Sequence, residues 1–192
     1  MNVAIVLFDG AEELDWAGPW EVFAAWRDGW PDDGLEVFTV GWTSEPIVCA
    51  KGLRVLADYT WETTPEADVV VWPGGIGTRR FLGDLHERAR VQALAARAEI
   101  MASVCTGSLV YADAGLLAGR PATTHWGALD LLRELGAEVD SEARFVDHGD
   151  VVTSAGVSAG IDMALHLVAR LHSRERAAEV RRYIQYDPEP PV

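Results

Sequence analysis

Three short runs dictate what this chain can fold into, because each is apolar at consecutive positions: Val3 to Phe8, Val69 to Trp72 and Ile100 to Val104. A strand apolar on both faces is covered on both faces, the condition of a parallel sheet lying between two layers of helices. Each run also stops abruptly. Asp9-Gly10, Pro73-Gly74-Gly75-Ile76-Gly77 and Cys105-Thr106-Gly107 follow them, and residues of these types mark turns.

The intervening segments carry helical spacing. Asp15 to Arg27 places Trp16, Trp20, Phe23, Ala24 and Trp26 roughly on one stripe. Pro19 is tolerated only near a helix start, so Asp15 falls at or just before the helix. Leu35 to Gly41 reads as the second strand, and Ile47 to Leu56 as two short strands about a Lys51-Gly52 turn. Arg88 to Ala98 is predicted helical, as is Gly107 to Ala114, which stops at Gly115. Pro121 to Thr124 reads as a short strand running into His125-Trp126, and Leu129, Leu132 and Leu135 mark a helix closed by Gly136. Phe145-Val146 and Val151-Val152 suit a hairpin about Asp147-His148-Gly149-Asp150. Beyond Ser154-Ala155-Gly156 comes a long helix with Ile161, Ala164, Leu165, Val168 and Leu171 on one face. A last helix spans about Arg174 to Tyr183, and Asp187-Pro188-Glu189-Pro190-Pro191 ends the fold.

This alternation predicts an α/β three-layer sandwich with a mostly parallel central sheet. Ligands in such sheets bind at the carboxyl ends of the strands, near a switch in strand order. The segments around Asp15, Gly74-Gly75, Cys105-Thr106, His125 and Ser154-Gly156 each follow a predicted strand. All five are therefore expected at one edge.

At 192 residues the chain reads as a single domain, long enough to bury about 70% of its unfolded surface. A net charge of −14 opposes binding to nucleic acid or an anionic membrane. A small neutral or cationic ligand suits it better. Two cysteines, Cys49 and Cys105, make no disulfide framework, and a reducing cytoplasm is the expected compartment. No basic leader precedes the first strand, and no apolar run approaches membrane-spanning length. The five histidines form no metal-ligand spacing with each other or with the cysteines. Gly74, Gly75 and Gly77 lack the Lys-Ser/Thr of a phosphate loop and the spacing of a dinucleotide fingerprint. Neither a metal nor a nucleotide is expected.

Chemistry centres on Cys105. It stands between a buried strand and a helix, the sulfur counterpart of a nucleophile elbow. Unpaired N–H groups and the helix dipole at that junction favour the thiolate, and Gly107 lets the backbone approach a substrate closely. The same residues also suit structural roles: an inert buried cysteine, Asp15 as a helix cap, the glycines as a tight turn, and His125 closing a buried strand.

A longer pattern adds to this reading. Phe8-Asp9-Gly10, Glu12-Glu13-Leu14-Asp15 and Gly18-Pro19 are followed by Pro73-Gly74-Gly75 and Ser103-Val104-Cys105-Thr106-Gly107-Ser108. Ala122-Thr123-Thr124-His125-Trp126, Ala159-Gly160-Ile161-Asp162 and Pro188-Glu189-Pro190-Pro191 complete it. In this order and spacing the chain resembles the ThiJ/PfpI superfamily over nearly its whole length, and is most similar to the isocyanide hydratase branch. The resemblance implies a class I glutamine amidotransferase-like (flavodoxin-like) fold and a cofactor-free homodimer acting on a small molecule. It implies a nucleophilic Cys105 with Asp15 held against it, and an anion site lined by the N–H groups of Gly74, Gly75 and Thr106. The implied reaction is hydration of an isocyanide to an N-substituted formamide. A carboxyl beside a thiolate is expected to have its pKa raised by like-charge repulsion.

Departures from the pattern matter as well. Members of the superfamily regarded as proteases have a histidine directly after the cysteine, where this chain has Thr106. Amidotransferases place a triad histidine where it has Ser154-Ala155-Gly156. Peptidase and glutaminase chemistry are thereby disfavoured. Two other readings stay open: a glyoxalase-like or other cysteine-dependent hydrolase using His125 as proton shuttle, and a non-catalytic redox sensor or ligand-binding protein. Related regulators continue into a basic helix-turn-helix segment, whereas the sequence here ends at Val192, so direct DNA contact is not expected. Trp16, Trp20 and Trp126 lie near the proposed site segments and are candidates for an apolar pocket wall.

Overall fold

In the computed structural model, which describes residues 1–188, the chain alternates strand and helix from its first residues. β1 (Asn2–Val6) leads through α1 (Glu13–Gly29) to β2 (Glu36–Gly41), and then to a hairpin of β3 (Ile47–Val48) and β4 (Arg54–Val55). β5 (Tyr59–Thr60) and β6 (Val69–Trp72) follow, then α2 (Leu85–Ala95), β7 (Ile100–Val104) and α3 (Gly107–Asp113). β8 (Pro121–Ala122), α4 (Leu129–Glu134), β9 (Glu138–Val139), β10 (Phe145–Asp147) and β11 (Val151–Ser154) come next. α5 (Ala159–Leu171) and α6 (Arg174–Tyr183) close the described chain. Glu189, Pro190 and Pro191 of the closing motif lie outside the described residues.

Seven strands form the main sheet in the order β10-β11-β7-β6-β1-β2-β5, parallel throughout except where β10 meets β11. The chain builds outward from β1 through β2 and β5, then returns to the other side of β1 for β6, β7 and β11. Strand order therefore reverses between β1 and β6. Right-handed crossovers running in opposite directions leave their helices on opposite faces. Accordingly, Val3, Ile5, Val69 and Val71 pack with Phe23 and Trp26 of α1, Met163 and Leu167 of α5 and Val180 of α6. Their neighbours Ala4, Val6, Val70 and Trp72 pack with Val91 of α2, Leu109 and Tyr111 of α3 and Leu132 of α4. The consecutive apolar runs thus feed two cores, one above and one below the sheet. This is the α/β three-layer sandwich expected from them.

Four local expectations change. α1 starts at Glu13, two residues early, so Asp15 is its third residue rather than its cap. Pro19 then sits inside the helix, without the N–H that would bond the Asp15 carbonyl. α2 starts three residues early because the Asp84 carboxylate accepts the N–H groups of His86 and Glu87 at 2.8 and 3.2 Å. β5 was not expected; it is only two residues long and is held by Asp58, whose Oδ2 accepts both the N–H and the hydroxyl of Thr39 at 2.8 Å. The strand expected over Pro121 to Thr124 shrinks to β8 and pairs with β9 outside the main sheet. Its ladder ends because the Thr123 N–H turns to the Thr153 side chain at 2.9 Å. Among the described residues, no helix is long and apolar enough to cross a membrane.

The reversal puts the ends of β1, β6, β7 and β11 side by side, and close packing there fixes how α3 leaves the sheet. A Cβ on Gly107 would fall 2.1 Å from the Trp72 carbonyl oxygen, a contact that backbone must move to relieve. Gly107→Ala is expected to destabilise the fold by about 2–4 kcal/mol, lowering the urea midpoint without changing the slope of the transition.

Candidate active site

Cys105 is the first residue past β7 and has φ of +56°. That conformation disfavours any side chain by about 1–3 kcal/mol, and the neighbourhood holds it in place. The Cys105 N–H is shared between the carbonyls of Ser154 and Ala155, each at 3.1 Å. Its own carbonyl accepts the Thr124 hydroxyl at 2.8 Å and the Ser108 hydroxyl at 3.1 Å. Val157 is also left-handed, at φ +49°, which is unusual for a β-branched residue. Its N–H and that of Thr106 hydrogen-bond the Cys105 sulfur.

Asp15 is fully buried. Oδ2 accepts the Gly74 N–H at 2.8 Å; Oδ1 is buried without a hydrogen-bond partner, and the Cys105 thiol lies beside the carboxyl. A side chain at position 74 would destroy this approach, since a Cβ there would lie 2.5 Å from the Thr106 nitrogen and 2.8 Å from Asp15 Oδ2. Only glycine fits.

Burial controls the electrostatics. It raises Asp15 to about 7, against the lowering effect of the Gly74 N–H and the thiol. It also pushes Cys105 up to about 12, with the nearby Asp15 charge adding to the rise and the Thr106 and Val157 N–H groups opposing it. The expectation of a thiolate favoured by its helix is therefore corrected. α3 has only seven residues, and its dipole does not overcome desolvation of the sulfur. The cause expected for Asp15 changes too: desolvation, rather than a neighbouring thiolate, raises it. Burial therefore favours the proton-bearing form of both members of the pair.

The remaining site residues surround this pair. The Gly75 N–H donates to Thr106 Oγ1 at 3.0 Å. Both loop N–H groups expected to line an anion site are thus engaged, Gly74 by Asp15 and Gly75 by Thr106. The backbone donors facing the sulfur are Thr106 and Val157. His125 Nδ1 accepts the Gly127 N–H at 3.1 Å, and the ring is tilted against Trp126. Together with Thr124, Ala155, Gly156 and Val157 these two rings line a cavity of about 320 Å³. His125 sits on the cavity wall. Trp16 and Trp20 pack against the cores, leaving Trp126, 80% exposed, as the tryptophan at the cavity. Among the described residues, no group of three or more His, Cys, Asp or Glu side chains is placed to hold a metal ion. Thr124 lay within a quoted motif without a role. Val157 gave no signal, because a left-handed valine does not show in spacing.

Comparison with known proteins agrees with the fold. The model of the DJ-1/PfpI family matches residues 1–170. An isonitrile hydratase from Pseudomonas putida is 37% identical over 191 residues, covering 100% of this chain and 81% of that protein. The crystal structure of a ThiJ/PfpI family protein from Pseudomonas syringae superposes with a TM-score of 0.89 at 34% identity, over 100% of this chain and 77% of that one. The HTH-type transcriptional regulator GbdR of Pseudomonas aeruginosa is 32% identical over 150 residues, which is 78% of this chain but 41% of the regulator.

The unusual pair gives two expectations. Because Asp15 stays protonated in the fold up to about pH 7 while its unfolded counterpart ionises near 3.8, it favours the fold most at low pH. That contribution is lost as pH rises from about 4 to about 7. Thermal melts should show wild type losing stability across that window by an amount on the order of a few kcal/mol, with Asp15→Asn much flatter. Iodoacetamide should label Cys105 slowly at about pH 8, and faster in Asp15→Asn, where the charge opposing the thiolate is gone.

Proposed function

We propose, since the chain belongs to the DJ-1/PfpI family, that it is a cysteine-dependent hydratase converting an isocyanide to an N-substituted formamide. The observation that carries this reading is the Cys105 thiol lying beside the fully buried Asp15 carboxyl, whose Oδ1 has no hydrogen-bond partner. The likeness to an isonitrile hydratase over the full chain supports it. On the same reading the chain is a single-domain homodimer that acts on a small molecule in the cytoplasm without a cofactor.

An isocyanide is an unusual electrophile, because its terminal carbon takes both the nucleophile and a proton. Asp15 accepts the Cys105 proton as sulfur bonds to that carbon, then returns the proton to the same carbon. The product is a thioimidate, R–N=CH–S–Cys105. Water adds to its carbon, giving up a proton to Asp15, while Thr106 donates to the nitrogen as its charge develops. Asp15 passes the proton it took from water to that nitrogen through the Thr106 hydroxyl, which gives up its own proton and regains one, so both residues end as they began. The C–S bond then breaks as the carbon–oxygen double bond forms, and the hydroxyl proton goes to the departing sulfur. The sum is isocyanide plus water giving formamide, with the enzyme unchanged. The cavity of about 320 Å³ beside His125 and Trp126 is of a size to take the nitrogen substituent.

Turnover of a small isocyanide panel, followed as formamide, tests this. Cys105→Ala should abolish it while the fold, read by circular dichroism, persists. Asp15→Asn should lower kcat by about 100-fold or more despite its larger thiolate fraction. His125→Ala should cost much less than Asp15→Asn. Undiminished turnover in Cys105→Ala, or no isocyanide turnover by the unmodified protein, would overturn the reading; a loss in His125→Ala equal to that in Asp15→Asn would favour carbonyl chemistry instead.

A further inference from the structure

Thr78 lies at the site, fully buried, and the reaction just described gives it no task. It belongs to the 3₁₀ turn Ile76–Phe81 that follows the glycine loop. Its hydroxyl donates to the Gly75 carbonyl at 2.8 Å and lies 3.2 Å from Thr106 Oγ1. Its backbone N–H reaches the same Gly75 carbonyl at 3.2 Å. Arg79 Nη1 donates to the Thr78 oxygen at 3.0 Å.

Each hydroxyl has one proton, and a carbonyl oxygen has two lone pairs. The Thr78 N–H and O–H fill both lone pairs of the Gly75 carbonyl. The Thr106 hydroxyl, 3.3 Å from that oxygen, is the most distant of three donors competing for it. Thr106 Oγ1 already accepts the Gly75 N–H at 3.0 Å, which fixes the oxygen, and its own proton has only the long 3.3 Å bond to the crowded carbonyl. We infer that Thr78 is a positioning residue: by occupying the Gly75 carbonyl it keeps that oxygen's hold on the Thr106 proton long and weak, so that the hydroxyl can donate instead to the group bound on Cys105.

Without the Thr78 hydroxyl, the Gly75 carbonyl regains a lone pair and the Thr106 proton is drawn onto it. Thr106 then cannot donate to the substrate nitrogen. This consequence rests on the hydratase reading; the hydrogen-bond rearrangement does not.

The test compares Thr78→Val, Thr78→Ser, Thr106→Val and the Thr78→Val/Thr106→Val double variant. Thr78→Ala removes the same hydroxyl without adding an atom and serves if the valine variant does not fold. In its crystal structure, Thr106 Oγ1 should close on the Gly75 carbonyl to about 2.8 Å. With a small isocyanide, Thr78→Val should lose about tenfold or more in kcat with little change in KM. Thr78→Ser should restore the rate, and Thr78→Val should cost nothing further once Thr106 is valine. An unmoved Thr106, an unchanged kcat, or equal losses in the presence and absence of the Thr106 hydroxyl would each overturn the inference. If the unmodified protein turns over no isocyanide, the hydratase reading fails, and the crystallographic distance decides the placement by itself.

Discussion

One buried carboxyl, satisfied on one oxygen, is the constraint around which this site is built. Asp15 has lost its water, and the structure returns a single backbone N–H, from Gly74. Full compensation would need donors on both oxygens and would hold the carboxylate in its ordinary range. With Oδ1 unpartnered and the Cys105 thiol beside it, the group is neither a firm anion nor a firm acid. Burial thus favours the proton-bearing form of both groups, which share one desolvated site. The stability forgone by burying Asp15 in this way is what makes it chemically useful.

That carboxyl is held by features belonging to several strands. α1 begins right after β1, so its third residue reaches back over the sheet edge. The Gly74 loop is delivered by β6, the next strand across the reversal, and Cys105 by β7 beyond it. Cys105 and Val157 are both held left-handed at φ of +56° and +49°. The first conformation turns the thiol into the crevice, and the second brings a further N–H to the sulfur. Hydroxyls from Ser108 and Thr124 secure the Cys105 carbonyl. Strain of this kind persists only where surrounding bonds over-determine it.

How much of this was legible follows from what leaves a mark in composition. The sandwich was readable because Val69 to Trp72 and Ile100 to Val104 are apolar on both faces, a demand no surface strand makes. Cys105, Asp15 and Gly74 were readable as a set because the chemistry requires those residue types and the family pattern fixes their order. The direction of the cysteine's pKa was not. It depends on how completely the thiol is desolvated, a property of α1, β7 and the Val157 segment together. Likewise, Gly75 and Thr106 were both placed at the site, but the bond between them, which takes the Gly75 N–H out of use, depends on a side-chain rotamer. β8 was misjudged for a related reason: its ladder is cut by a single bond from Thr123 to Thr153, two residues far apart in the chain.

The position of the acid relative to the nucleophile also bears on which electrophile the site suits. When a thiol adds to an aldehyde, the proton must finish on oxygen, one bond away from the carbon that sulfur attacks. A donor for that step must reach the oxygen, and the Nδ1 of His125 is already engaged in holding the turn at Gly127. When a thiol adds to an isocyanide, the proton finishes on the attacked carbon itself, so the acid must stand directly beside the sulfur. Asp15 stands there, near its own neutral point and shielded from water that would otherwise take the proton. The later proton, to nitrogen, is needed farther from the carboxyl, on the side where Thr106 lies. An acid against the sulfur and a hydroxyl one residue beyond it match the order in which an isocyanide needs its protons.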